Sequence, residues 1–84
     1  MGVTEDLADA LAKDTIEAAE AMGDERLIEE VSKQLGASSQ TTQEAFMTAV
    51  RVRLAEKRAR GFLQDKLKGF LSEQKASAQK AQKG

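Results

Sequence analysis

The sequence contains no cysteine and no histidine. Without cysteine there is neither a disulfide framework nor a thiolate nucleophile. Without histidine, the usual zinc sites and the Glu-x-x-His di-metal motif of helical bundles are excluded. Carboxylate pairs spaced three residues apart remain, but Asp6 with Asp9 and Glu17 with Glu20 fall on the predicted solvent face of a helix. We therefore predict a protein that is not an enzyme, with no catalytic residue, metal or cofactor.

Proline, tryptophan and tyrosine are also absent, and the longest apolar run is only a few residues. The commonest side chains are those that enter a helix at least cost. This composition predicts an all-α fold, a small bundle of three or four helices. Because no segment resembles a signal peptide or a membrane span, we expect a soluble, cytoplasmic protein.

The chain has 84 residues, near the lower end of what folds alone. We predict one helical domain over residues 1–74. The segment 75–84 is small, polar and basic, so we predict a disordered tail there. A core this small leaves apolar surface that a second copy can cover, and this predicts a homodimer.

Cap residues divide the N-terminal half into two predicted helices. Thr4 is the predicted N-cap of the first, and Gly23 ends it in the left-handed conformation. Asp24 caps a second helix over about 24–35, which Gly36 ends. The turn after Gly36 is followed by the third helix.

The third helix has three candidate caps. Thr41 and Glu44 form a capping box, although Ser38 or Ser39 can serve as the cap instead.

Two apolar stripes follow along the third helix. The first consists of Phe46, Val50 and Leu54, and the second of Leu63, Leu67, Phe70 and Leu71. The nine residues from Leu54 to Leu63 turn a helix by roughly 180°, so the stripes lie on different faces. Either the helix breaks or kinks at Gly61, which we favour, or it continues and contacts two different partners. We predict that the second stripe binds a protein partner.

A heptad pattern crosses the same region, with two charged interruptions. Its members are Ala45, Ala49, Val52, Glu56, Ala59, Leu63, Lys66 and Phe70. In a helix rich in alanine such spacing also arises by chance, and this is the interpretation that we favour from the sequence.

Charge is strongly polarised, although the net charge is only −1. Residues 1–47 hold eleven acids and three bases, and residues 48–84 hold ten bases and three acids. We favour packing of the acidic helices near the basic helix, within one chain or across a dimer, where antiparallel or head-to-tail neighbours suit the charges. Alternatively, five bases bind an anionic partner: Arg51, Arg53, Lys57, Arg58 and Arg60.

The segment 28–46, IEEVSKQLGASSQTTQEAF, resembles a helix-turn-helix of the repressor type. It has a short helix, a glycine in the turn, and polar residues that open a second helix. The resemblance implies that four side chains reach base edges: Ser38, Ser39, Gln40 and Gln43. However, Thr42 departs from the apolar residue usual there, and Glu29 and Glu30 would approach phosphates.

We therefore predict a small helical protein-interaction or regulatory module. The alternative is a helix-turn-helix-like nucleic-acid-binding protein that uses segment 28–46 or the basic strip 51–60. Membrane attachment through the amphipathic part, residues 51–71, is a weaker third option, because the apolar face is needed for folding first.

Overall fold

A computed structural model describes the backbone of residues 2–83 and the side chains of residues 2–76. The described backbone forms three helices: α1 (Val3–Met22), α2 (Arg26–Ser38) and α3 (Gln40–Lys83). No strand occurs in the described backbone, so the predicted all-α fold is confirmed. The disorder predicted for residues 75–84 falls mainly on residues whose side chains lie outside the described part, and it stays a prediction.

The junction between α1 and α2 forms as its glycine predicts. Gly23 has a φ of 66° and a ψ of 29°, the left-handed region that glycine enters without steric cost. The backbone N–H groups of Gly23 and Asp24 bond back to carbonyls in the last turn of α1. The Asp24 carboxylate accepts the Arg26 N–H at 3.1 Å. The N-cap of α2 is nevertheless Glu25, one residue after the predicted cap. The predicted N-cap at Thr4 is wrong, because α1 begins one residue after Gly2.

The junction between α2 and α3 is much shorter than predicted. α2 does not end at Gly36 but continues to Ser38, and only Ser39 separates the two helices, with φ −156° and ψ 108°. The Ser39 hydroxyl accepts the Thr42 N–H at 3.1 Å, so Ser39 is the cap among the three candidates.

Gly36 lies where α2 and α3 approach each other closely. A Cβ atom at this position would lie 2.5 Å from the Nε2 atom of Gln43. Gln43 donates this amide to the Ser32 carbonyl of α2 at 2.9 Å. The glycine therefore provides room for a side chain that ties α3 to α2, and it does not mark a helix end.

α3 runs through Gly61 without interruption. Among the described residues only Gly23 has a positive φ, so Gly61 takes an ordinary helical conformation. The favoured prediction of a break there is wrong, and the alternative of a continuous helix is correct. A helix of 44 residues is about 66 Å long, which accounts for the 69 Å length of a molecule measuring 69 × 30 × 13 Å.

The core lies between the first part of α3 and the two shorter helices. Its buried members are Ala8, Ala12 and Ile16 of α1 with Phe46 and Val50 of α3. Partly buried apolar residues of α2 pack against it: Ile28, Val31 and Leu35. The alanines let α1 approach α3 closely. Among the described residues, Phe46 is the only large side chain that is completely buried. Leu54 is the last residue of α3 packed on this core.

Candidate functional site

From Phe62 to residue 76, α3 extends past the other two helices. Every described side chain from Phe62 to residue 76 is exposed. We call residues 62–76 the protruding segment. Five of its large apolar side chains are between 54% and 66% exposed: Phe62, Leu63, Leu67, Phe70 and Leu71.

These five side chains share one side of the helix. At 100° per residue they occupy an arc of roughly 180°, and the charges inside it are Lys66 and Glu73. The structure thus brings together the four predicted partner-binding residues and adds Phe62, which the stripe at four-residue spacing did not include. Asp65 and Lys68 lie on the opposite side of the protruding segment. The segment is therefore amphipathic, with its apolar side open to solvent.

Lys66 lies among these apolar side chains and contacts one of them. Its ammonium group is 5.7 Å from the centroid of the Phe62 ring, one helical turn earlier. At an exposed site such a cation–π contact contributes about 0.5–1 kcal/mol. The aliphatic stem of a lysine can also lie along apolar surface while its charge stays in water.

The five predicted anion-binding residues do not form one free strip. Arg53 and Lys57 pair with Asp9 and Glu20 of α1, and Arg60 pairs with Glu56 one turn earlier in α3. The other two, Arg51 and Arg58, are exposed and line a groove between the helices. The charge polarity predicts that acidic α1 packs against basic α3 within one chain. The pairs of Arg53 with Asp9 and of Lys57 with Glu20 confirm this packing.

The pair between Asp9 and Arg53 has bidentate geometry. Arg53 donates its Nε to one Asp9 oxygen at 2.7 Å and an Nη to the other at 2.8 Å. These hydrogen bonds hold the pKa of Asp9 below its ordinary value, and they raise the pKa of Arg53. Arg53 of α3 pairs with Asp9 of α1, and Lys57, further along α3, pairs with Glu20, further along α1. The two helices therefore run in the same direction.

The local geometry of segment 28–46 differs from that of a helix-turn-helix. The glycine of the proposed turn lies inside α2, and one residue, Ser39, replaces the three- to four-residue turn of that motif. Gln43 turns inward to the Ser32 carbonyl, and Ser39 caps α3. Ser38 and Gln40 are exposed at the junction.

A groove of about 900 Å³ between the three helices is a feature that sequence reasoning did not find. Apolar side chains contribute to its lining: Ile16, Ile28, Met47, Val50 and Leu54. Charges of both signs also line it, with Glu25 and Glu29 from the α2 side and Arg51 and Arg58 from α3. The apolar spacing had grouped Val50 and Leu54 on one helix face, but only the three-dimensional packing shows that they line a groove.

Within the described residues, no three acidic side chains come close enough to hold a metal ion, and no helix has the length and apolarity needed to cross a bilayer. Comparison with known proteins finds no family model, no curated protein and no solved structure that matches this chain.

Proposed function

We propose that this chain is a non-catalytic interaction module whose working surface is the apolar side of the protruding segment. The observation that carries the proposal is the exposure of five large apolar side chains on one side of a helix that extends past its own core. Clustered apolar exposure of this kind marks binding sites in folded proteins, whereas single exposed apolar residues are ordinary.

Continuity of α3 argues that the partner is another molecule. Because the helix does not bend at Gly61, the protruding segment cannot return to the core between α1 and α2. A segment that cannot be covered from within its own chain loses water contact only by association. Each buried methylene of such a surface contributes about 0.8 kcal/mol to binding.

A second copy of the chain is the partner that the charges favour. The protruding segment belongs to the basic half of the sequence, residues 48–84, with ten bases against three acids. The acidic half, residues 1–47, forms α1, α2 and the start of α3. Another copy therefore offers both a matching apolar side and a surface of opposite charge.

The experiment is analytical ultracentrifugation from about one to one hundred micromolar, on the full chain and two variants. We expect the wild-type protein to dimerise and Leu63→Glu to remain monomeric. Leu7→Glu is the matched control, because Leu7 of α1 is 65% exposed and Leu63 is 63% exposed. Circular dichroism must show that both variants keep the wild-type helix content.

A wild-type monomer throughout this range would refute self-association, and equal loss in both variants would refute the assigned surface. Nucleic-acid binding, the alternative, is separated by filter binding of the same protein at low and high salt. Binding that falls steeply with salt would favour phosphate contacts over the apolar side.

A further inference from the structure

Six residues of α3 form a continuous line outside the three-helix core. They are Val52, Glu56, Ala59, Leu63, Lys66 and Phe70, spaced alternately by four and three, and all six are exposed. We call this line the α3 seam. On sequence alone chance accounts for this heptad spacing. The unbroken helix changes that, because the seam lies along one side of it from Val52 to Phe70.

The two charges in the seam discriminate between orientations of a paired helix. In a parallel, in-register pair, Glu56 would face Glu56 of the other copy, and Lys66 would face Lys66. Like charges directly opposite each other destabilise a pair of helices. In an antiparallel pair centred at residue 61, each Glu56 instead faces a Lys66, because both are five residues from that centre.

The remaining seam residues have the same symmetry. Ala59 and Leu63 lie two residues either side of position 61, and Val52 and Phe70 lie nine residues either side. An antiparallel pair therefore sets each leucine against an alanine and each phenylalanine against a valine. Such alternation of large and small side chains lets two helices interdigitate without voids.

We infer that two copies pair through the α3 seam in antiparallel orientation, with a two-fold axis beside Gly61. The inference rests on the proposed self-association and adds its geometry. Each protruding segment then lies along α3 of the other copy, on the side away from α1 and α2, where each Lys66 meets a Glu56. The interface is isologous and closes at two copies. Gly61 itself points away from the axis, since it lies roughly 160° around the helix from the seam.

Charge reversal tests the orientation. In the antiparallel dimer Glu56→Lys sets lysine against Lys66 twice, and Lys66→Glu sets glutamate against Glu56 twice. Each single variant should dimerise roughly tenfold more weakly, because two attractive pairs become repulsive. The double variant, Glu56→Lys with Lys66→Glu, should recover wild-type affinity. In a parallel dimer neither single variant would change the number of like-charge contacts, so unchanged affinities would overturn the inference.

Cysteine cross-linking gives an independent result, because the natural chain contains no cysteine. Copies with Glu56→Cys are mixed with copies with Lys66→Cys and oxidised. The antiparallel pair predicts a disulfide between the two kinds of copy. Positions 56 and 56 would be about 15 Å apart along the helices, beyond the reach of a disulfide.

Disulfides between two copies with the same substitution, joining 56 to 56 or 66 to 66, would overturn the antiparallel orientation while leaving self-association intact. Absence of any dimer in the ultracentrifuge, for the wild-type chain and all variants, would instead refute the proposed function and this inference together.

Discussion

Replacing Phe46 by alanine should nearly unfold the chain, whereas the same change at Phe70 should leave its fold intact. Phe46 is 0% exposed and packs against the small residues Ala8 and Ala12, which cannot expand into the space that it leaves. Truncating a buried phenylalanine costs about 3–5 kcal/mol. A folded chain of this length has about 4–12 kcal/mol of stability, so the loss removes a large share of it.

Urea unfolding followed by far-UV circular dichroism measures the effect. With a slope of about 1 kcal/mol per molar urea, Phe46→Ala should lower the midpoint by about 3–5 M at every protein concentration. Phe70→Ala, in the same helix but 55% exposed, should lower it only at concentrations where the wild-type chain is dimeric. A cost below about 1 kcal/mol for Phe46→Ala, or equal and concentration-independent costs for both, would refute the assignment of the core.

Three further substitutions test local features. Gly61→Ala should stabilise the helix by about 1 kcal/mol without changing dimer affinity, because a Cβ there meets nothing within 4 Å; lower stability in urea unfolding would contradict the continuous helix. Gly36→Ala should leave the free energy of unfolding nearly unchanged, because the gain in helix stability is offset by displacing Gln43 from its hydrogen bond. In a Gln43→Ala background the same change should stabilise the chain by about 1 kcal/mol. Equal effects in both backgrounds, measured by urea unfolding, would exclude the coupling. The folded-state pKa of Asp9 is lowered, so its pair with Arg53 stabilises the chain above the ordinary pKa of 3.8, and this stabilisation is lost as the pH falls through the lower folded value. Asp9→Asn should therefore reduce the loss of stability on acidification below the ordinary pKa, and an unchanged pH profile would show that the pair contributes nothing.

Local signals in the sequence located the first helix junction correctly. A glycine followed by an acidic residue has a stereochemical reason to end one helix and begin the next. Gly23 ends α1, and Asp24 accepts the Arg26 N–H at the start of α2, one residue before the N-cap Glu25. The apolar spacing likewise grouped Phe46 and Val50 on one helix face, because residues four apart share a face. The structure buries both of them in the core. These inferences hold because their causes lie within a few residues of each other.

The two wrong glycine predictions have a common physical reason. A glycine within a helical pattern can signal a helix end, a close contact or neither, and the sequence does not distinguish them. At Gly36 the cause is a side chain seven positions away, Gln43, which approaches from the next helix. At Gly61 neither a contact nor an unusual φ is found, and the flanking residues keep the helix intact.

The candidate surface was predicted in part. Four residues of the protruding segment followed from their spacing, and their exposure is what the structure adds: Leu63, Leu67, Phe70 and Leu71. The ion pairs that engage Arg53 and Lys57 depend on the crossing of α1 with α3, which no local pattern encodes. The groove between the helices has the same origin.

Folding and association use different sides of α3. Val50 is buried in the core, whereas Val52, only two residues on, is 62% exposed. Two residues turn a helix by about 200°, so the side facing α1 and α2 is nearly opposite the α3 seam. A second copy can therefore bind the seam without displacing either short helix. Because one rigid helix carries both sides, substitutions on the seam should change association alone, and substitutions on the core side should change both.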